Sequence, residues 1–140
     1  MKTLLALLAL TVSASAATYR NEPAAELKNG RYELSTDMGG YALGYDNKFK
    51  EIEKSGLQVR VKDICASACT IVLRNPKACA ERGALFGFHQ VQSVTNDGIV
   101  YSDRGTRILW SYYPDTVKAQ VKELTPNMVW IKGRYLLPPC

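Results

Sequence analysis

The run from Leu57 to Leu73 constrains the fold more than any other part of the chain. Leu57, Val59 and Val61 alternate with Gln58, Arg60 and Lys62, the period of a half-buried strand. The small-residue run Cys65-Ala66-Ser67-Ala68-Cys69 follows, and then the apolar Thr70-Ile71-Val72-Leu73. A strand that passes through small residues into an apolar helical stretch predicts a tight strand-to-helix turn. Asn75-Pro76-Lys77 breaks the helix. Upstream, Tyr32 to Thr36 alternates weakly and predicts a short strand ended by Asp37-Met38-Gly39-Gly40. Ala42, Tyr45, Phe49 and Ile52 then mark one face of a helix that Ser55-Gly56 stops.

Downstream, Ala84-Leu85-Phe86-Gly87-Phe88 predicts a strand that delivers His89, the only histidine. Asn96-Asp97-Gly98 reads as a turn, in a hairpin that leads into Ile99-Val100-Tyr101. Helices are expected over 106–112 and 116–124, and a third from Thr125-Pro126 to near Gly133. The order strand, helix, strand, helix, strand, then mostly helix predicts an α/β layout. Sites in such sheets form at the carboxyl ends of the strands. Gly39-Gly40, the Cys65–Cys69 run and His89 all fall there.

The N-terminus constrains compartment rather than fold. Lys2, the apolar Leu4 to Val12 and the Ala14-x-Ala16 ending form a secretory signal pattern, too short to span a bilayer. The expected organisation is a signal peptide over 1–16, a flexible lead-in over 17–30 and a single domain over 31–140. No later segment is apolar enough for a membrane span, and localisation is expected to be periplasmic or secreted. In an oxidising compartment Cys65, Cys69, Cys79 and Cys140 suggest up to two disulfides, with three complete connectivities open. No paired C-x-x-C occurs, which argues against a zinc site and against a thiol–disulfide oxidoreductase. No metal or cofactor is expected. A cysteine nucleophile working with His89 is a rival reading that paired cysteines would end.

The 140 residues carry 18 Lys and Arg against 13 Asp and Glu, a formal charge of +5. The basic residues are spread along the chain, and Lys48, Lys50 and Lys54 interleave with Glu51 and Glu53. That is a solvated helix face rather than a nucleic-acid stripe.

A nucleophilic serine needs a base, a strained exposed position and N–H donors for the oxyanion. Ser67 sits between alanines at the strand-to-helix junction, Ala68 N–H lies at the helix start, and Gly39-Gly40 allow close backbone approach. His89 is the only conventional base.

These residues resemble the Clp protease/crotonase superfamily. The resemblance rests on Asp37-Met38-Gly39-Gly40, Val59-Arg60-Val61, Cys65-x-Ser67-Ala68-Cys69-Thr70 and Gly87-Phe88-His89-Gln90. It extends to Tyr113-Pro114, Leu124-Thr125-Pro126-x-Met128 and Gly133, and covers about 31–140. The chain looks most like small exported bacterial ClpP-like proteins of unknown activity. The resemblance implies a small βαβ core with a helical C-terminal part, Ser67 as nucleophile and His89 as general base. Its oxyanion donors would be the N–H of Ala68 and of Gly39 or Gly40. It implies a peptidase-type hydrolase acting on a peptide or protein, with no cytoplasmic ATPase partner after export. Ring assembly in relatives makes a homo-oligomer compatible with it.

The resemblance fails at the triad acid. Asp97, Asp103 and Asp115 come too early, and the matching region, Asn127 to Ile131, holds no Asp or Glu. The pair would act as a dyad or with a backbone carbonyl orienting His89. The alternative is a catalytically degenerate periplasmic binding or assembly domain on the same fold. Within the resemblance, a bridge from Cys65 or Cys69 to Cys79 would clamp the turn presenting Ser67. The other would reach Cys140 and tie down the tail.

Overall fold

A computed structural model describes residues 20–140. The signal peptide expected over 1–16, and residues 17–19 of the lead-in, lie outside the described residues. The chain is α/β, with helices packed on a mixed sheet.

The first strands and helix form a βαβ unit: β2 (Arg31–Asp37), α1 (Ala42–Ser55) and β3 (Val59–Ala66), with β2 and β3 parallel. Tyr45, Phe49 and Ile52 of α1 are buried, as their spacing predicts. Gly56 ends the helix in the left-handed conformation, φ 70°, and donates its N–H to Glu53 O. Ahead of β2 lies a strand that the lead-in was not expected to contain. This strand, β1 (Ala25–Lys28), pairs antiparallel with β2. Asn29 and Gly30 both take positive φ, 49° and 74°, in the two-residue loop between them. Asn-Gly is the preferred pair for that turn, so the flexible lead-in over 17–30 is corrected by a signal present at its own end.

β3 runs directly into a 3₁₀ helix (Ser67–Arg74), which Asn75 and Pro76 end. The short β4 (Ala78–Ala80) then pairs with the first half of β3 and β5 (Leu85–Phe88) with its second half, both parallel. β6 (Gln92–Thr95) and β7 (Gly98–Tyr101) form the expected hairpin, exposed along its whole length. Helices α2 (Asp103–Tyr112) and α3 (Asp115–Val121) follow.

The helix expected over 125–133 is instead a strand. Here β8 (Val129–Lys132) pairs antiparallel with β5, from Val129 beside Phe88 to Lys132 beside Leu85. Val129, Trp130 and Ile131 are β-branched or aromatic and fit a pleated surface. Edge pairing with β5 outweighs the helix-start signal of Thr125-Pro126. The sheet order is β1-β2-β3-β5-β8, with β4 also beside β3.

Both disulfides differ from the expected pairing. Cys65 bridges Cys69, four residues away, and Cys79 bridges Cys140, 61 residues away. The reason is topological. Cys65 and Cys69 stand at the two sides of one turn, while Cys79 lies on β4 beside the first half of β3, next to the C-terminal segment. None of the four is free, which removes the cysteine nucleophile.

A buried carboxylate ties the helices together. Asp46 of α1 faces Arg74 at 2.6 Å, from the end of the 3₁₀ helix, and Lys50 at 2.8 Å. Burial pushes the Asp46 carboxyl up, but the Lys50 and Arg74 contacts outweigh it and hold the group below its ordinary value. The Arg74 guanidinium in turn lies 4.7 Å from the centre of the Tyr112 ring at the end of α2.

Candidate active site

Ser67 is the first residue after β3, and its φ is +57°. A non-glycine residue in the left-handed region carries a strain of about 1–2 kcal/mol, so its surroundings must hold it there. Three neighbours do so. The Cys65–Cys69 disulfide closes over the turn. The Thr70 hydroxyl donates to Ser67 O at 2.6 Å. Gly39 packs directly beneath: a Cβ there would lie 2.6 Å from Ser67 Cβ, 2.8 Å from Ala66 O and 2.9 Å from Ala68 N.

Gly39 is held by Asp37, which its sequence position marks only as the end of a strand and part of the resemblance, with no role of its own. Asp37 is buried, and its Oδ1 accepts from Gly39 N at 2.8 Å and from the Tyr45 hydroxyl at 2.7 Å. Its Oδ2 accepts from Ala24 N at 2.7 Å. An Asp bonding the amide two residues on is an Asx turn, and Asp37-x-Gly39 is its sequence signal. The Gly39 N–H is thereby occupied, whereas Gly40 N–H makes no hydrogen bond among the described residues. Gly40 lies instead against the Arg20 backbone, which accepts from Tyr41 N. Ala68 N–H is one of the end amides of the 3₁₀ helix.

Gly39→Ala is expected to cost about 3 kcal/mol, because a side chain there combines an unfavourable φ of +89° with overlap on immovable backbone. Urea unfolding measures the loss. A cost under about 1 kcal/mol would show that the loop relaxes freely.

His89 follows Phe88, the last residue of β5. β3 and β5 are in register at Ala66 and Gly87, so Ser67 and His89 come to adjacent strand ends. No hydrogen bond joins them among the described residues, and Ser67 Oγ makes none. His89 Nδ1 lies 2.5 Å from Gln90 O. A carbonyl only accepts, so Nδ1 carries a proton, and in the neutral ring Nε2 is then the acceptor. Gln90 is itself anchored, its N–H on Thr125 O at 2.8 Å and its side-chain amide on Leu124 O. Asp103 and Asp115 open α2 and α3, Asp97 lies in the hairpin turn, and none of the three bonds His89.

One wall beside the strand ends is apolar. Trp130 and Met128 lie over Gly87, where an added Cβ would be 2.8 and 2.9 Å from them. Trp130 remains half exposed. Among the described residues no cluster of His, Cys, Asp and Glu is placed to hold a metal ion, and no helix is long and apolar enough to cross a membrane.

No protein-family model matches the chain, and no curated protein matches it either. The case for function therefore rests on the site itself.

Proposed function

We propose that this protein is an exported serine hydrolase of peptidase type, similar to the Clp protease/crotonase superfamily. Ser67 is the nucleophile and His89 the base. The observation that carries the reading is the left-handed Ser67 at the carboxyl end of a parallel strand, with the only histidine ending the neighbouring strand. Strain at a serine on a strand-to-helix turn is what exposes such a nucleophile. His89 Nε2 takes the hydroxyl proton as Ser67 Oγ attacks a carbonyl, and returns it to the leaving amine. Ala68 N–H and the Gly39-Gly40 loop receive the oxyanion, with Gly40 N–H as the loop's donor while Asp37 holds Gly39. The Gln90 carbonyl stands where a triad acid would orient the imidazole. Two disulfides fit an oxidising compartment.

A second reading, a catalytically degenerate periplasmic binding or assembly domain, is favoured by one observation. His89 has no carboxylate partner among the described residues and makes no bond to Ser67. A fluorophosphonate probe separates the two. Labelling of wild type and none of Ser67→Ala supports the hydrolase; an unlabelled but folded wild type leaves the binding domain.

A further inference from the structure

Tyr113 belongs to the resemblance only as part of Tyr113-Pro114 and was given no role there, yet it touches the supports of both Ser67 and His89. It follows α2 directly, and its side chain is buried, with 3% of the residue exposed. Its hydroxyl is 2.6 Å from Thr70 Oγ1. Thr70 Oγ1 has one proton, and that proton goes to Ser67 O, since a carbonyl cannot donate. The Tyr113 hydroxyl must therefore be the donor to Thr70. Burial raises its pKa, which keeps it protonated for that task. A relay thus runs from the Tyr113 hydroxyl through Thr70 to the carbonyl of the strained serine. On its other side, the Tyr113 ring meets Phe88 edge-on, centroids 5.5 Å apart, and Phe88 is the residue before His89. Trp110, one turn earlier on α2, also meets the ring edge-on, centroids 6.1 Å apart.

We propose that Tyr113 is a positioning residue that sets Ser67 relative to His89, through Thr70 on one side and Phe88 on the other. The inference rests on the reading of Ser67 and His89 as the reacting pair. A tyrosine fits where a phenylalanine would not. Phenylalanine would keep the Phe88 contact and the packing but leave the Thr70 hydroxyl unanchored, which weakens one of the three supports of the left-handed φ.

The test uses the full mature protein with four variants: Tyr113→Phe, Thr70→Val, their combination, and Thr70→Ser. Fluorophosphonate labelling is followed to saturation, so that the maximal inactivation rate is separated from probe affinity. Each single variant is expected to lower the maximal rate about 100-fold with affinity unchanged, the cost of a misplaced reacting atom. The combination is expected to fall no further, because both substitutions cut one relay. Thr70→Ser keeps the hydroxyl and is expected to retain the wild-type rate. A merely structural tyrosine would lower the melting temperature and leave the rate of folded protein unchanged.

Backbone chemical shifts of Ser67, which report its left-handed conformation, supply a readout that needs no activity. They are expected to move toward ordinary values in Tyr113→Phe. An unlabelled wild type defeats the hydrolase reading alone, and the Ser67 shifts then decide the role of Tyr113. Tyr113→Phe with either an unchanged labelling rate or unchanged Ser67 shifts overturns the proposal.

Discussion

His89→Ala is expected to react with a fluorophosphonate about 10⁴-fold more slowly than wild type, while its stability changes by less than about 1 kcal/mol. The two effects separate because of where the histidine sits. It is half-buried at a strand end, and among the described residues its side chain bonds only the carbonyl of the next residue. Truncation therefore opens no core cavity and orphans no distant partner. What it removes is the lone pair on Nε2, the only imidazole acceptor in the chain. Without it the Ser67 hydroxyl must lose its proton to water, and the labelling rate reports that directly. Equal loss of labelling and of stability would mean that His89 is a structural residue. An unchanged rate would mean that Ser67 reacts without it, and the proposed mechanism would be wrong.

The second large effect concerns stability. Removing the Cys79–Cys140 bridge by the Cys79→Ala/Cys140→Ala double variant is expected to cost about 4 kcal/mol and lower the melting temperature by roughly 15 °C. The bridge spans 61 residues, and a long loop loses much freedom when it is closed in the unfolded chain. Cys65–Cys69 spans only four residues, and the same account gives about 2 kcal/mol. In the folded state the C-terminal segment also bonds β4 through its backbone, Ala80 N to Pro138 O at 3.0 Å and Cys140 N to Ala80 O at 3.2 Å. These bonds hold the register but do not shorten the unfolded chain. Thermal melts of both double variants give the ranking. A larger loss on removing Cys65–Cys69 would show that native-state strain at Ser67, not chain entropy, dominates.

Local signals carried the first half of the fold. The alternation of Leu57, Val59 and Val61, the helical spacing of Tyr45, Phe49 and Ile52, and the strand ending at His89 each lie within one element. Asn29-Gly30 is equally local, but the strand before it, Ala25-Glu26-Leu27-Lys28, is a short edge strand left largely exposed, so its alternation carries little core signal. The other departures depend on contacts between distant parts of the chain. β8 takes its conformation from β5, and the preceding proline alone points the other way. Cysteine pairing needs positions that spacing does not supply. The candidate site was legible as types, in Gly39, Gly40, Ser67, Ala68 and His89. Its supports were not. Asp37 resembles any strand-ending acid until its carboxylate is seen on Gly39, and Thr70 meets Tyr113 across 43 residues.

The position of β8 also orders events in time. A chain delivered N-terminus first, whether by a ribosome or through a membrane pore, presents Ser67 and His89 well before Tyr113, Met128 and Trp130. Until these last residues emerge, β5 has no partner on its outer side, Gly87 lies uncovered, and the serine turn lacks the hydroxyl relay. The candidate site is thus completed only after Trp130 has emerged. A partly emerged chain carries Ser67 and His89 without the contacts that frame them in the folded protein.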